Sequence, residues 1–202
     1  ESTDQVNVGI TFQASSLPWM SDLTLTCDGY INHVKNKIVA IPYNLFLWKM
    51  ENLGKVRVYG LDVSLSSSFE LARNHTLMLS GSYSYQRAQP LTDPNTMEWK
   101  KQVAYIPLNS GSASVSWLNP WVNVALHGTG CSARYTTNQN FPETRISGYF
   151  DTGISLFRSF KIKKNSLEIK ADILNIFDKQ YEIVARYPMP GRSWKLTAEF
   201  EI

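Results

Sequence analysis

Nine successive runs of this chain alternate apolar with polar residues, and the connections between them alternate strictly between short and long. The first run sets Val6, Val8, Ile10 and Phe12 against Asn7, Gly9, Thr11 and Gln13. The others centre on residues 23–28, 59–66, 77–86, 112–117, 122–126, 150–156, 167–173 and 194–202. Period two is the signature of a strand with one apolar face, and helical periodicity is nearly absent. With their ends the runs reach about ten to fourteen residues, against about 5–6 for the usual strand of a soluble sheet. The sixth run loses its phase near Gly128 and Gly130, which predicts a bulge there.

The short connections are "ASSLPWMSD", "LARNH", "NP" and "SFKIKKN"; the long ones are residues 34–54, 88–109, 136–146 and 176–192. Short turns at one end of a meander and long loops at the other are the pattern of an outer-membrane barrel. Tilted spanning strands need about 9–11 residues, and only a closed barrel satisfies every strand's backbone in lipid. The predicted fold class is therefore all-β: an antiparallel transmembrane β-barrel meander of about nine strands. Short turns then lie on the periplasmic side, long loops outside, and the C-terminus is periplasmic. Several polar faces carry Ser, Thr, Gly and Asn rather than Lys and Glu, which suits an enclosed aqueous lumen. Tyr83, Tyr85 and Trp121 stand near the ends of apolar runs, as an interfacial girdle requires. An odd meander cannot close with antiparallel ends, so further strands are expected before Glu1 and the chain reads as a fragment. A soluble β-sandwich or lipocalin-like barrel stays open on pattern alone.

Composition narrows the function. Charged residues are 18% of 202 and the net charge is +3, too mild to imply a nucleic-acid partner. Cys27 and Cys131 fall on non-adjacent runs and read as unpaired thiols. His33, His75 and His127 lie on separate elements without metal-ligand spacing, and no nucleophile elbow or phosphate loop is present. "GTGCSA" (Gly128 to Ala133) matches a dinucleotide fingerprint by letter, yet "RYTTNQNFP" cannot open the helix that fingerprint requires. "NHT" at Asn74 fits a glycosylation sequon but sits in a predicted periplasmic turn. No enzyme, cofactor or metal site is predicted.

The C-terminal stretch "ADILNIFDKQYEIVARYPMPGRSWKLTAEFEI" resembles the end of TonB-dependent outer-membrane receptors. Leu174, Asn175, Ile176, Phe177, Asp178, Lys179 and Tyr181 match its L-x-N-[LI]-F-[DN]-K-x-Y strand end. Tyr187, Pro188, Pro190, Gly191 and Arg192 match its closing loop. "ESTDQVNVGITFQ", "NLGKVRVYGLDVSLS" and "YIPLNSGSASVSW" are similar to upstream strands, with Asn7 where Glu is commoner and Ile202 where an aromatic is usual. The resemblance implies the last nine strands of a plugged barrel of about 22, in the cobalamin- and siderophore-receptor branch. Residues 1–202 would be the C-terminal barrel segment, with the plug domain and earlier strands absent. It further implies TonB-dependent uptake of a metal chelate such as cobalamin, a siderophore or haem. The implied partners are that ligand, the receptor's own plug, the TonB complex through the missing N-terminal part, and the bilayer. The rival class is a non-transporting barrel, adhesin or porin-like.

Ligand contacts are expected from aromatics and arginines of the long loops: Tyr43, Phe46 and Trp48; Trp99 and Tyr105; Arg134 and Tyr135; Tyr181, Arg186 and Tyr187. Aromatics offer stacking area, and Arg captures acidic groups bidentately. Loop packing or a girdle role is the structural alternative for each, and Phe177 and Tyr181 also suit the outer interface. Asp62, Asp151, Glu168, Lys170, Asp172, Lys195, Glu199 and Glu201 fall on the polar face as candidate plug contacts. Two unpaired edge strands predict self-association of the isolated fragment.

Overall fold

A row of side chains crosses the whole molecule: Ala14, Leu23, Ser67, Leu79, Val115, Leu126, Ile154, Ile173 and Trp194, each paired to the next on the neighbouring strand. In this computed structural model, which describes residues 1–17, 20–42 and 46–201, the row belongs to one antiparallel sheet. Its strands are β1 (Ser2–Leu17), β2 (Met20–Lys35), β3 (Val56–Ala72), β4 (His75–Pro90), β5 (Asn109–Leu118), β6 (Asn123–Cys131), β7 (Tyr149–Ile162), β8 (Asn165–Leu174) and β9 (Ser193–Glu201). They lie side by side in chain order, with β1 and β9 as the two edges, so the wall is part of a barrel rather than a closed one.

The register keeps one face apolar across all nine strands. The polar exception in that row, Ser67, turns its hydroxyl onto the Asp22 carbonyl at 3.0 Å. This face is open: Val8 is 69% exposed and Trp194 74%. An apolar surface on that scale is the surface of a protein whose solvent is lipid. On β3 it runs from Tyr59 to Phe69, ten rises, or about 33 Å along the strand and about 23 Å after a 45° tilt. The apolar band of an outer-membrane barrel is about 25 Å tall. Strands β1 to β4, at 16 or 17 residues, continue past this band on the long-loop side. They exceed the expected lengths because the hydrogen-bonded ladder goes on where apolar alternation has stopped.

The other face is polar and fine-grained. Ser80 pairs with Ser114 and Ser82 with Ser112, each hydroxyl pair at 2.8 Å. The charges expected on this face are there, and several are held by hydroxyls: Ser84 donates to Asp62, Ser155 to Asp172 and Ser159 to Glu168. Lys170 and Asp172 form an ion pair at 3.4 Å.

The bulge expected at Gly128 and Gly130 is not present, since β6 pairs without a register shift on both sides. Alternation in fact continues: His127, Thr129 and Cys131 face inward, while the glycines occupy apolar positions. Phe150 of β7 lies over both, so that a Cβ on Gly128 would meet its ring at 2.7 Å. The neighbouring strand supplies the apolar cover that the glycines lack. A register shift occurs instead between Glu70 and Ala72, beside the turn that carries Asn74 at φ 64°. At this short-turn end His75 stacks on Trp117 (5.8 Å) and meets Trp121 edge-on (5.5 Å).

Candidate functional site

The four long loops do not stand up freely. They fold toward the polar face and are tied to one another. Loop 1 contains the hairpin Ile38–Pro42 and Trp48–Asn52. Its Leu53 packs with Val56, Ala88 and Val103 in a small core bordered by Val39, Val58 and Ile106. Val56 and Ala88 project from the polar side of the upper wall, in register with the lumenal Gly60 and Gln86, so loops 1 and 2 lean over the lumen. Thr92 adds a donor to the Leu53 carbonyl at 2.7 Å.

Side-chain amides join loop 2 to loop 3. Gln102 accepts from the Ala88 amide at 3.1 Å and donates to the carbonyls of Gln86 and Ile106 at 3.2 Å. Asn140 accepts from the Gln102 amide and donates to its carbonyl, both at 2.8 Å. Asn138, 2% exposed, accepts from the Ala104 amide and donates to Glu51 of loop 1. Gln102 thereby replaces ladder partners that β4 loses where β5 ends, and the two asparagines hold Gln102 and Ala104 in place.

Arg134 joins loop 3 to loop 4. It is 3% exposed and donates to the carbonyls of Glu182 at 2.6 Å and Ile183 at 2.7 Å, and to the Cys131 sulfur at 3.3 Å. Its guanidinium also lies over the Tyr149 ring at 5.8 Å. Tyr149 stacks on Tyr181 with centroids 4.3 Å apart, and the Tyr181 hydroxyl donates to Asp151. Burial, and then the Asp151 carboxylate, push the Tyr181 phenol up to about 12. Tyr181 is therefore a lumen-side residue and not part of the outer girdle, because its ring and hydroxyl are both taken up by inward-facing groups of β7. Burial likewise raises Tyr105, and burial together with nearby Glu51 raises Glu98. Loop 4 itself is pinned by Asn175, which accepts from the Lys179 amide and donates to the carbonyls of Lys179 and Pro190. Asp178 accepts from the Arg192 amide at 2.8 Å.

The predicted ligand residues thus divide. Tyr105, Arg134, Tyr135 and Tyr181 stand where the loops are stapled together, with the Tyr105 amide donating to the Tyr135 carbonyl at 2.7 Å. Trp99 is half-buried beneath Lys100. Phe46 (89% exposed), Trp48, Arg186 and Tyr187 lie on the surface. Tyr43 lies outside the described residues. Below the cap is a concavity of about 390 Å³, where Tyr105, Arg134 and Ile183 of the loops face Ser82, Ser112 and Thr129 of the wall. Gln102, Asn138 and Asn140 were missed from sequence; the amide-rich stretch "TTNQN" is the signal that could have found the two asparagines, and nothing local marks Gln102. Among the described residues no cluster of His, Cys, Asp or Glu could hold a metal ion.

Residues 1–176 match the family described as TonB dependent receptor-like, beta-barrel. None of the curated proteins matches the chain. Among solved structures, the ferric citrate transporter FecA in the unliganded form is similar at 18% identity and TM-score 0.74, covering 97% of this chain and 30% of its own. The copper transporter OprC is similar at 15% identity and TM-score 0.71 (99% and 31%). BauA, the ferric preacinetobactin receptor from Acinetobacter baumannii, is similar at 17% identity and TM-score 0.66 (99% and 29%). The chain spans about 30% of the length of these structures.

Proposed function

Because this chain belongs to the TonB-dependent receptor β-barrel family, we propose that it forms part of the outer-membrane wall of a receptor that takes up a metal chelate. On this reading residues 1–202 are the C-terminal segment of a barrel of about 22 strands, ending on the periplasmic side. The plug and the segment that contacts TonB belong to the remainder of the receptor. The protein is then a transport receptor and not an enzyme.

The observation that carries this reading is the cap. Four loops stapled by Arg134, Gln102, Asn138 and Asn140 lean over a polar lumen and keep Phe46, Trp48, Arg186 and Tyr187 on the surface. A pre-ordered aromatic and cationic surface loses little entropy on capturing a large chelate. Similar structures include proteins for ferric citrate, ferric preacinetobactin and copper, which supports a chelated metal as the ligand class. Siderophore, cobalamin and haem are the forms to test.

The test is accumulation of labelled ferric citrate, a ferric catecholate, cobalamin or haem by cells producing the complete receptor, with and without a working TonB complex. Uptake of one ligand that disappears without TonB is expected. Ligand entry indifferent to TonB, or no entry of any ligand by a correctly inserted receptor, would sink the proposal.

A further inference from the structure

The outward face of β2 to β4 changes character within one row of residues. Val8, Gly29, Leu61 and Tyr85 form the last uncharged row; above it come Val6, Ile31, Tyr59 and Arg87, and then Asp4, His33, Arg57 and Gln89. Arg87 points away from the lumen, because its neighbour Gln86 reaches inward to the Tyr30 hydroxyl at 3.2 Å. Arg57 sits beside Tyr59, its guanidinium 5.6 Å from the ring centroid, and Gln89 steadies one of its nitrogens at 3.2 Å. Two arginines on adjacent strands therefore stand at the upper limit of the apolar band, next to the aromatic belt.

Neither arginine has a carboxylate within ion-pair distance among the described residues. Asp4 is the acid in the cluster, and Lys35 engages it at 3.7 Å. The Arg57 Nε is shielded from solvent and has no hydrogen-bond partner. An acceptor from outside the chain therefore meets the terminal nitrogens of the fork and not Nε. On β5 to β7 the ladder ends lower: Asn109 pairs with Tyr85, and Gly111, Gly130 and Phe150 continue the row of Tyr83, so the strand pairing there carries no row at the height of Arg87.

We infer that Arg57 and Arg87, with His33 at their side, form a binding site for the phosphate of a membrane lipid in the leaflet on the long-loop side. The inference rests on the reading that this wall spans a membrane. Arginine suits this partner because its planar fork engages two phosphate oxygens at once. The register fixes the depth: a lipid whose chains lie against Leu61 and Val63 brings its headgroup to the row of Arg57 and Arg87. Within this wall the site spans three strands, β2 to β4, at one place.

The test uses the complete receptor, delipidated and returned to phosphatidylcholine bicelles containing about one part in ten of a lipid with exposed phosphate monoesters, lipid A. Bound lipid is counted by native mass spectrometry in wild type, R57Q, R87Q and the double variant. Retention should fall roughly fivefold per arginine and be unchanged by K164Q at the opposite end of the wall. Equal retention in the double variant overturns the site, as does full displacement by millimolar inorganic phosphate, which would mark a site for the free ion. Heat-modifiable migration of each variant checks that the barrel is intact. If even the wild type fails to insert, the membrane-wall reading falls and the lipid site with it.

Discussion

The Tyr181 hydroxyl donates to the Asp151 carboxylate at 2.8 Å and so closes loop 4 onto the top of β7. Burial and the carboxylate both favour the neutral phenol, which is why its ionisation is pushed up to about 12 from the usual 10. The raised value means the folded chain holds this proton more tightly than the unfolded one. The contribution to stability is whole below pH 10 and is lost as pH rises from 10 through 12. Ultraviolet titration of the complete receptor should lose one late-ionising tyrosine in Y181F. An unchanged titration curve would place the high value elsewhere.

Arg134 holds loop 4 through two carbonyls, those of Glu182 and Ile183. R134A should release residues 182–184, raising their amide exchange by roughly tenfold or more, since hydrogen bonds from a charged donor contribute about 1.5–3 kcal/mol each. R134K should not restore protection, because one ammonium cannot reach Glu182, Ile183 and the Cys131 sulfur in the same fork. Exchange as slow in R134K as in wild type would contradict this.

Asn175 adopts φ 49° and is 3% exposed, with three side-chain hydrogen bonds across the base of loop 4. N175A should lower the thermal midpoint of the complete receptor, at a cost of about 2–4 kcal/mol from lost bonds and left-handed strain. N175G relieves only the strain and should fall between the two. The ordering of the three midpoints is the check.

Gly128 and Phe150 form a coupled pair on the lipid face. G128A should destabilise the barrel by about 1–3 kcal/mol, because the ring must leave its seat. In an F150A background the same change should be nearly neutral. Additive effects of the two substitutions in thermal unfolding would show that ring and glycine act independently.

Much of the wall was legible because lipid and lumen read every second residue, and a pattern that simple survives in sequence. Val6, Leu61 and Leu196 were assigned to their face from alternation alone. Gly128 and Gly130 misled, since a glycine reports nothing about which side of a strand it is on; the answer lay in Phe150, a residue of the next strand. The cap was less legible for a different reason. Whether Arg134 meets a ligand or a carbonyl depends on a segment 48 residues later, and no local pattern encodes that distance. Gln102 looks like an ordinary loop residue until the unpaired edge of β4 is known to need it, and Asn138 and Asn140 until loop 2 is known to need them.

The paired serines of the polar face have a bearing on friction. Ser80 with Ser114 and Ser82 with Ser112 satisfy one another, yet each oxygen keeps a lone pair to offer. Any molecule or protein segment sliding along this wall meets short hydroxyls that exchange one partner for another without a long side chain having to reorder. Such a surface wets readily, grips nothing for long, and lets its occupant move.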